Sequence, residues 1–378
     1  LAVDPAAVVG DVPVGVLQRV EIIKALYRDA RVLILDEPTA VLTPQETERL
    51  FEVLRALRDD GRTIILITHK MKEVMAISDR VTVLRDGRVV ARLVTAESNP
   101  AEITRHMTGR DVDLTTDAPA NPPGEARLTV TGLSVPGEGR DVVSDVSLTV
   151  RAGEIVGIAG VAGNGQAELA EALVGMRAAH AGTVEINGTD VTRATVRQRR
   201  DAGVAYVPED RHGIGTAPQA DAAANFALGH HRAAPLLQRG LLRRDRMIAN
   251  AERLIARFRV KIASPSTPVG TLSGGNLQKI VVARELDYEA PVLVCEQPTR
   301  GVDVGAIEAI HREIAEYRDR GGAVLLISAE LSEILSLSGR ILVMFEGRIV
   351  AELDAADATE ARLGLLMAGG HLDDSEVR

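Results

Sequence analysis

Short apolar runs alternate with amphipathic stretches along most of the chain. Val32–Leu35, Thr63–Thr68, Glu154–Ala159, Val292–Val294 and Ala323–Ser328 each form a brief apolar block of strand length. Segments of helical period lie between them. Gln18–Arg28 and Gln278–Leu286 each lead into a strand, and Glu168–Val174 follows a glycine-rich loop. Thr43–Asp59 repeats its apolar positions at the helical spacing, with Thr43 as N-cap and Pro44 in the first turn. Asn99-Pro100 opens a further short helix. Strands alternating with helices in this way predict an α/β fold on a mostly parallel sheet.

The pattern also recurs. Displaced by 260 positions, residues 18–93 align with 278–353 without a gap, and 22 of the 76 pairs are identical. Pro38-Thr39 meets Pro298-Thr299, Arg80 meets Arg340, and Gly87-Arg88 meets Gly347-Arg348. A period this long excludes a solenoid and predicts two copies of one domain. The second copy begins near Leu128, and its counterpart start would precede Leu1, so the first copy is expected to lack roughly its N-terminal half. The expected organisation is residues 1–108 as the C-terminal part of the first domain and 109–127 as a linker with Pro119, Pro122 and Pro123. Residues 128–370 form the second domain, and 371–378 an acidic tail.

Composition narrows the chemistry. The 378 residues suit two or three domains. Four Phe, four Tyr and no Trp leave little for base stacking, and a balance of 44 − 53 = −9 opposes phosphate-backbone binding. Nucleic acid is therefore not expected as a partner, and the basic runs Arg193–Arg200 and Arg239–Arg246 read as solvated helix faces. The single Cys295 excludes an intrachain disulfide and a multi-cysteine zinc site. No apolar run approaches the ~18 residues of a membrane span.

Candidate chemistry gathers at strand ends. Glu154–Ala159 runs into Gly160-Val161-Ala162-Gly163-Asn164-Gly165-Gln166-Ala167-Glu168 and then a helix. A strand, a glycine loop and a helix N-terminus make a cradle of backbone N–H groups for phosphate. Gly160 and Gly165 keep the P-loop spacing, but Gln166 stands where a lysine would reach the phosphates, and Ala167 where a hydroxyl would hold Mg²⁺. In the first copy, Val32–Leu35 ends in Asp36-Glu37. A buried strand there would present Asp36 to Mg²⁺ and Glu37 as general base on water. His69 follows at the end of the next strand. Ser273, Gly274 and Gly275, with Asn276 and Gln278 behind them, sit just before a helix as an anion-binding cap.

With these motifs in register, the chain resembles the ATP-binding subunits of ABC transporters, in the tandem form that energises import of simple sugars and nucleosides. Leu272–Lys279 is similar to the ABC signature, Asp36-Glu37 to the Walker B end, Val41–Thr43 to the D-loop and His69 to the switch histidine. Tyr206–Arg211 resembles the Q-loop segment, with Glu209 where most relatives carry Gln. The likeness extends over nearly the whole chain. It implies two P-loop NTPase domains of the ABC type, the first incomplete, each with a sheet core and a helical subdomain (Arg211 to Val269 in the second). It implies ATP and Mg²⁺ as cofactors, with Glu37 and His69 catalytic and Asp36 at the metal. It also implies two transmembrane permease subunits as partners, an extracytoplasmic binding protein acting through them, and a place on the cytoplasmic face of the membrane.

The resemblance implies head-to-tail composite sites, and intact and altered motifs segregate by that rule. One site draws on Asp36, Glu37 and His69 with Ser273-Gly274-Gly275. The other combines Gln166 and Ala167 with Glu296, Gln297 and Ala329, which align with Asp36, Glu37 and His69, and faces Val12-Pro13-Val14-Gly15. Pro13 has no N–H to offer, Gln297 cannot accept a proton, and no aromatic residue between Leu128 and Gly160 is there to stack on adenine. The expectation is one hydrolysing and one degenerate site, with residues 1–378 inactive by themselves because the first copy's phosphate loop would precede Leu1. The other readings are a soluble tandem ABC protein on ribosomes or DNA, disfavoured by the short linker and acidic chain, and a non-catalytic binding module.

Overall fold

A computed structural model describes residues 14–27, 30–39, 42, 44–85, 87–112, 122–161, 163–232 and 234–370, with Pro5, Ala6 and Val8. The N-cap expected at Thr43, the signature counterpart Val12-Pro13, most of Val41–Thr43, the middle of the linker and the tail lie outside the described residues. The chain divides into two units, Leu1–Asp113 and Leu114–Arg378.

In the first unit α1 (Val14–Tyr27) precedes β1 (Val32–Asp36), α2 (Pro44–Asp59) and β2 (Thr63–Ile67). Then come α3 (Met71–Ile77), β3 (Arg80–Arg85), β4 (Arg88–Val94) and α4 (Pro100–Thr108). α4 starts as its sequence dictates: Asn99 accepts a hydrogen bond from Glu102 N, Pro100 occupies the first turn, and Gly109 ends the helix in the left-handed region. β1 and β2 pair in parallel, and Ile22, Leu33, Leu50, Phe51 and Leu54 close one face of that pair.

The other face departs from expectation. β1 was read as a buried strand, yet Val32, Ile34, Ile65 and Ile67 are 54%, 63%, 47% and 49% exposed. The cause is topological: among the described residues β1 and β2 form a sheet of two strands only, with no layer over that side.

The second unit shows what such a face looks like when covered. β5 (Ala126–Pro136) and β6 (Asp141–Arg151) lead to β7 (Ile155–Ala159), α5 (Gln166–Val174), β8 (Ala181–Ile186) and β9 (Thr189–Asp190). α6 (Val196–Asp201) and β10 (Val204–Val207) follow. A helical region holds α7 (Ala222–Ala227), the hairpin β11 (Leu237–Gln238) and β12 (Leu241–Leu242), and α8 (Arg244–Phe258). The chain finishes with α9 (Gly274–Asp287), β13 (Val292–Glu296), α10 (Val304–Asp319), β14 (Ala323–Ser328), α11 (Leu331–Leu337), β15 (Arg340–Phe345), β16 (Arg348–Asp354) and α12 (Glu360–Met367).

Six strands form a sheet in the order β10-β13-β14-β7-β15-β16, parallel except for β16. A second, antiparallel sheet runs β6-β5-β8-β9. Side chains alternate across the six-stranded sheet. Leu293, Leu326 and Val343 pack with the helices, whereas Val292, Val294, Leu325 and Ile327 pack toward α5 and the antiparallel sheet. Those last four are the counterparts of Val32, Ile34, Ile65 and Ile67.

Local details repeat as well. The β3–β4 ladder shifts register between Val83 and Leu84, and the β15–β16 ladder between Val343 and Met344, at the aligned position. Element ends differ from the sequence reading. α9 begins at Gly274, so the signature glycines lie in its first turn; Ser273 takes the extended N-cap backbone and receives a 2.9 Å hydrogen bond from Asn276 Nδ2. β5 begins at Ala126, which removes the last residues of the expected linker, because Ala126 pairs with Arg151. Among the described residues, no helix is long and apolar enough to cross a membrane.

Candidate nucleotide sites

In the first unit, β1 delivers Asp36 and then turns sharply. Glu37 sits at φ 45°, a left-handed backbone that is costly for a side-chain-bearing residue, and is held there by a 2.9 Å bond from its N–H to Ile67 O. This aims its carboxylate at His69, whose Nδ1 lies 3.0 Å from Glu37 Oε1. Behind this pair stands Glu73, 5% exposed. Thr39 Oγ1 donates to its Oε1, and Thr68 Oγ1 donates to its Oε2 at 2.9 Å. Glu73 thus ties the loop after Glu37 to the loop carrying His69. Asp36 is exposed, and no described hydrogen bond or ion pair occupies its carboxylate, so a hard oxygen ligand remains open to Mg²⁺.

The second unit keeps the scaffold and changes the chemistry. Gln297 takes φ 44° and bonds from its N–H to Ile327 O at 2.8 Å. Its side-chain oxygen accepts from Ala329 N at 3.2 Å, so a backbone amide stands where the first unit has an imidazole. Thr299 Oγ1 donates to Glu333 at 2.7 Å, repeating the Thr39–Glu73 brace. The sequence reading missed this brace, although Glu73 and Glu333 are identical at aligned positions; that identity was the available signal.

Gly163 and Gly165 take φ 89° and 98°, which only glycine adopts cheaply. Asn164 O accepts from Gly347 N at 3.0 Å, and Asn164 Oδ1 from Glu346 N at 3.1 Å, fastening the loop to the β15–β16 turn. Gln166 is 8% exposed and folds back, donating through Nε2 to Val161 O at 3.1 Å. A Cβ on Gly160 would lie 1.9 Å from that Nε2. The cradle is therefore filled by its own side chain. Ala167 and Glu168 follow in the first turn of α5.

Glu296, at the position of Asp36, does not suit Mg²⁺. It is 3% exposed and accepts a short hydrogen bond from the Tyr206 hydroxyl. Burial pushes its carboxyl up to about 7; the Tyr206 hydrogen bond opposes this, while Glu171 and Glu168 push it further up. A free glutamate loses its proton near 4.5, so the folded state holds the proton longer than the unfolded chain. The associated stability is complete below about 4.5 and is lost as pH rises to about 7. Glu296→Gln is expected to stabilise the protein by about 2–3 kcal/mol at alkaline pH, and negligibly below about pH 4.5, in paired urea titrations. An equal effect at both pH values would contradict the assignment.

The signature residues stand at the start of α9. Gly274 and Gly275 are in its first turn, and a Cβ on Gly274 would come within 2.7 Å of an Arg211 guanidinium nitrogen. Arg211 also donates to Arg300 O at 2.6 Å, and Glu209 pairs with Arg300. Asn276 Oδ1 accepts from Lys261 N at 2.7 Å, and Gln278 is buried within α9 with no hydrogen-bond partner described for its Nε2.

A strand–glycine loop–helix unit, an acidic strand end and a serine–glycine helix cap on one α/β frame define a nucleotide-binding protein of the P-loop class. Comparison with known proteins is specific. The family described as ABC transporter matches residues 143–300. The chain is 47% identical to the glucose import ATP-binding protein TsgD13 of Haloferax volcanii, over 97% of this chain and 68% of that protein. It is 45% identical to the guanosine import ATP-binding protein NupO of Bacillus subtilis, over 98% and 72%. A solved ATP-binding subunit of an ABC transporter superposes with TM-score 0.53 at 22% identity, covering 64% of this chain and 99% of that one. A nucleotide-free ATP-binding cassette gives 0.54 at 20%, covering 67% and 98%. The chain belongs to the ABC transporter family, as an ATP-binding subunit, and subunits of this kind are ATPases coupled to solute import.

Proposed function

We propose that the chain energises import of simple sugars or nucleosides through a pair of membrane permeases from the cytoplasmic face, with an extracytoplasmic binding protein supplying the solute. It does so as a tandem of two cassettes, of which one hydrolyses ATP and the other is degenerate. The observation carrying this reading is the Glu37–His69 pair at 3.0 Å, set against Gln297 bonded to the Ala329 amide on the same strained backbone. Glu37 orients water and accepts its proton; His69 holds the carboxylate and faces the reacting phosphate. Mg²⁺, when bound at Asp36, supplies charge neutralisation for the phosphates. Ser273, Gly274 and Gly275 donate to the nucleotide of a neighbouring cassette. In the degenerate cassette Gly160, Gly163, Asn164, Gly165, Gln166, Ala167 and Glu168 keep the shape of a phosphate loop without its cation.

The solute class rests on relatives whose names specify glucose, guanosine and, at 42% identity, ribose import. The test is uptake by proteoliposomes containing the protein and its permeases, with labelled guanosine, ribose and glucose offered in turn. ATP-dependent accumulation of one of them is expected. ATP hydrolysis with accumulation of none would overturn the solute assignment while leaving the ATPase intact.

A further inference from the structure

His69 is the middle residue of a turn that its neighbours close. Thr68 Oγ1 accepts a 3.1 Å hydrogen bond from Lys70 N, two residues on, so the hydroxyl bridges the backbone across His69. A hydroxyl has one proton of its own to give, and Thr68 gives it to Glu73 Oε2 at 2.9 Å. Glu73 is buried in the first turn of α3, and its other oxygen accepts from Thr39, two residues after Glu37. One carboxylate therefore holds the loops of both members of the Glu37–His69 pair.

The second unit isolates what the Thr68 link adds. There the same turn forms across Ala329, with Ser328 Oγ accepting from Glu330 N at 3.0 Å. Thr299 still donates to Glu333. The link between turn and carboxylate is missing. Ser328 gives its proton to Gln297 Oε1 at 3.5 Å, the limit of a hydrogen bond, and Glu333 Oε2 is buried with no hydrogen-bond partner among the described residues. His311 Nε2, 3.0 Å away, shares Glu333 Oε1 with Thr299. The aligned residue in the first unit is Phe51, whose apolar side chain cannot compete for Glu73. The Thr–Glu half of the brace thus persists in both units. The half that fixes the turn is kept where the turn carries an imidazole and lost where it carries alanine.

We propose that Thr68 and Glu73 are positioning residues for ATP hydrolysis, holding the His69 turn so that Nδ1 stays on Glu37. The inference rests on the reading of Glu37 and His69 as the hydrolytic pair. Both residues act through His69 and not on the nucleotide, and small misplacements of reacting groups are costly in rate.

The test is steady-state ATP hydrolysis by the protein carrying Thr68→Val, which keeps the shape and removes the hydroxyl, beside Thr68→Ser, which keeps the hydroxyl. Thr68→Val is expected to lower kcat about tenfold with KM for ATP unchanged, and Thr68→Ser to retain about half or more of the wild-type kcat. Ser328→Ala removes the aligned hydroxyl from the second unit and should leave kcat within about twofold. Unfolding midpoints accompany each variant. If Thr68→Val unfolds at the assay temperature, Glu73→Gln carries the same expectation, because an amide has one accepting oxygen where the carboxylate uses two. Unchanged kcat in Thr68→Val, a rise in KM alone, failure of Thr68→Ser to retain the rate, or an equal loss in Ser328→Ala would each overturn the proposal. Glu37→Gln on the same preparation separates the two levels. If it abolishes turnover while Thr68→Val is silent, the positioning role alone falls; if turnover survives it, the hydrolytic reading falls and takes this inference with it.

Discussion

Glu37→Gln is expected to reduce steady-state ATP hydrolysis by the protein by about 10²–10⁴-fold, the usual cost of losing a general base. Glutamine preserves the shape at φ 45° and can still contact His69, so nucleotide binding should persist. The informative partner is Gln297→Glu. That position bonds the Ala329 amide rather than an imidazole, and its neighbour Glu296 is capped by Tyr206. A carboxylate placed there has neither histidine nor metal ligand beside it, and turnover should change less than twofold. A large fall on Gln297→Glu, or survival of turnover on Glu37→Gln, would reverse the division of labour between the copies.

The largest stability effect is expected at Glu285. It is 1% exposed, and Arg284 Nε reaches Oε1 at 2.7 Å while Arg200 Nη2 reaches Oε2 at 2.9 Å. Tyr206 N donates to the same Oε2 at 3.3 Å. Burial pushes the Glu285 carboxyl up, and the Arg284 and Arg200 guanidiniums more than offset it, leaving it below the ordinary glutamate range. Glu285→Ala removes the anion and leaves Arg284, itself 6% exposed, as an unneutralised buried cation. Breaking one partner of a buried pair costs about 3–5 kcal/mol. Urea unfolding should show that loss, with Glu285→Gln intermediate because it can still accept hydrogen bonds. A cost below about 1 kcal/mol would mean that water enters to solvate the cluster.

The placement of the motifs at strand and helix ends was largely legible in the sequence, since strand, loop and helix signals flank them directly. Apolar blocks located β1, β2, β13 and β14, and the serine before two glycines located the start of α9 to within a turn. What the sequence did not yield is long-range pairing. Nothing local announces that Glu73 braces Thr39 and Thr68, that Tyr206 caps Glu296, or that Gln166 would fold into its own loop. The Thr39–Glu73 and Tyr206–Glu296 bonds depend on strands brought together only by the sheet, whereas Gln166 reaches back five residues to Val161 within a loop whose shape its glycines set. Burial of β1 was misread for a related reason: an apolar strand records what it is able to bury, not whether a covering layer is in place. The basic run Arg239–Arg246 reads as one helix face, yet only Arg244–Arg246 lie in α8; charge spacing alone does not reveal the two consecutive left-handed residues Arg239 and Gly240.

The uncovered side of β1 and β2 has a practical consequence for handling the protein. Val32, Ile34, Ile65 and Ile67 form an exposed branched-aliphatic strip, and among the described residues the sheet of β1 and β2 has no third strand on either edge. Such a strip is a template for strand addition from a second molecule, so self-association on concentration is expected to begin at the first unit. The second unit, with its equivalent strip sealed between layers, contributes little to that hazard. A single charge introduced at Ile34 or Ile65 would act as a gatekeeper there without touching the Glu37 turn.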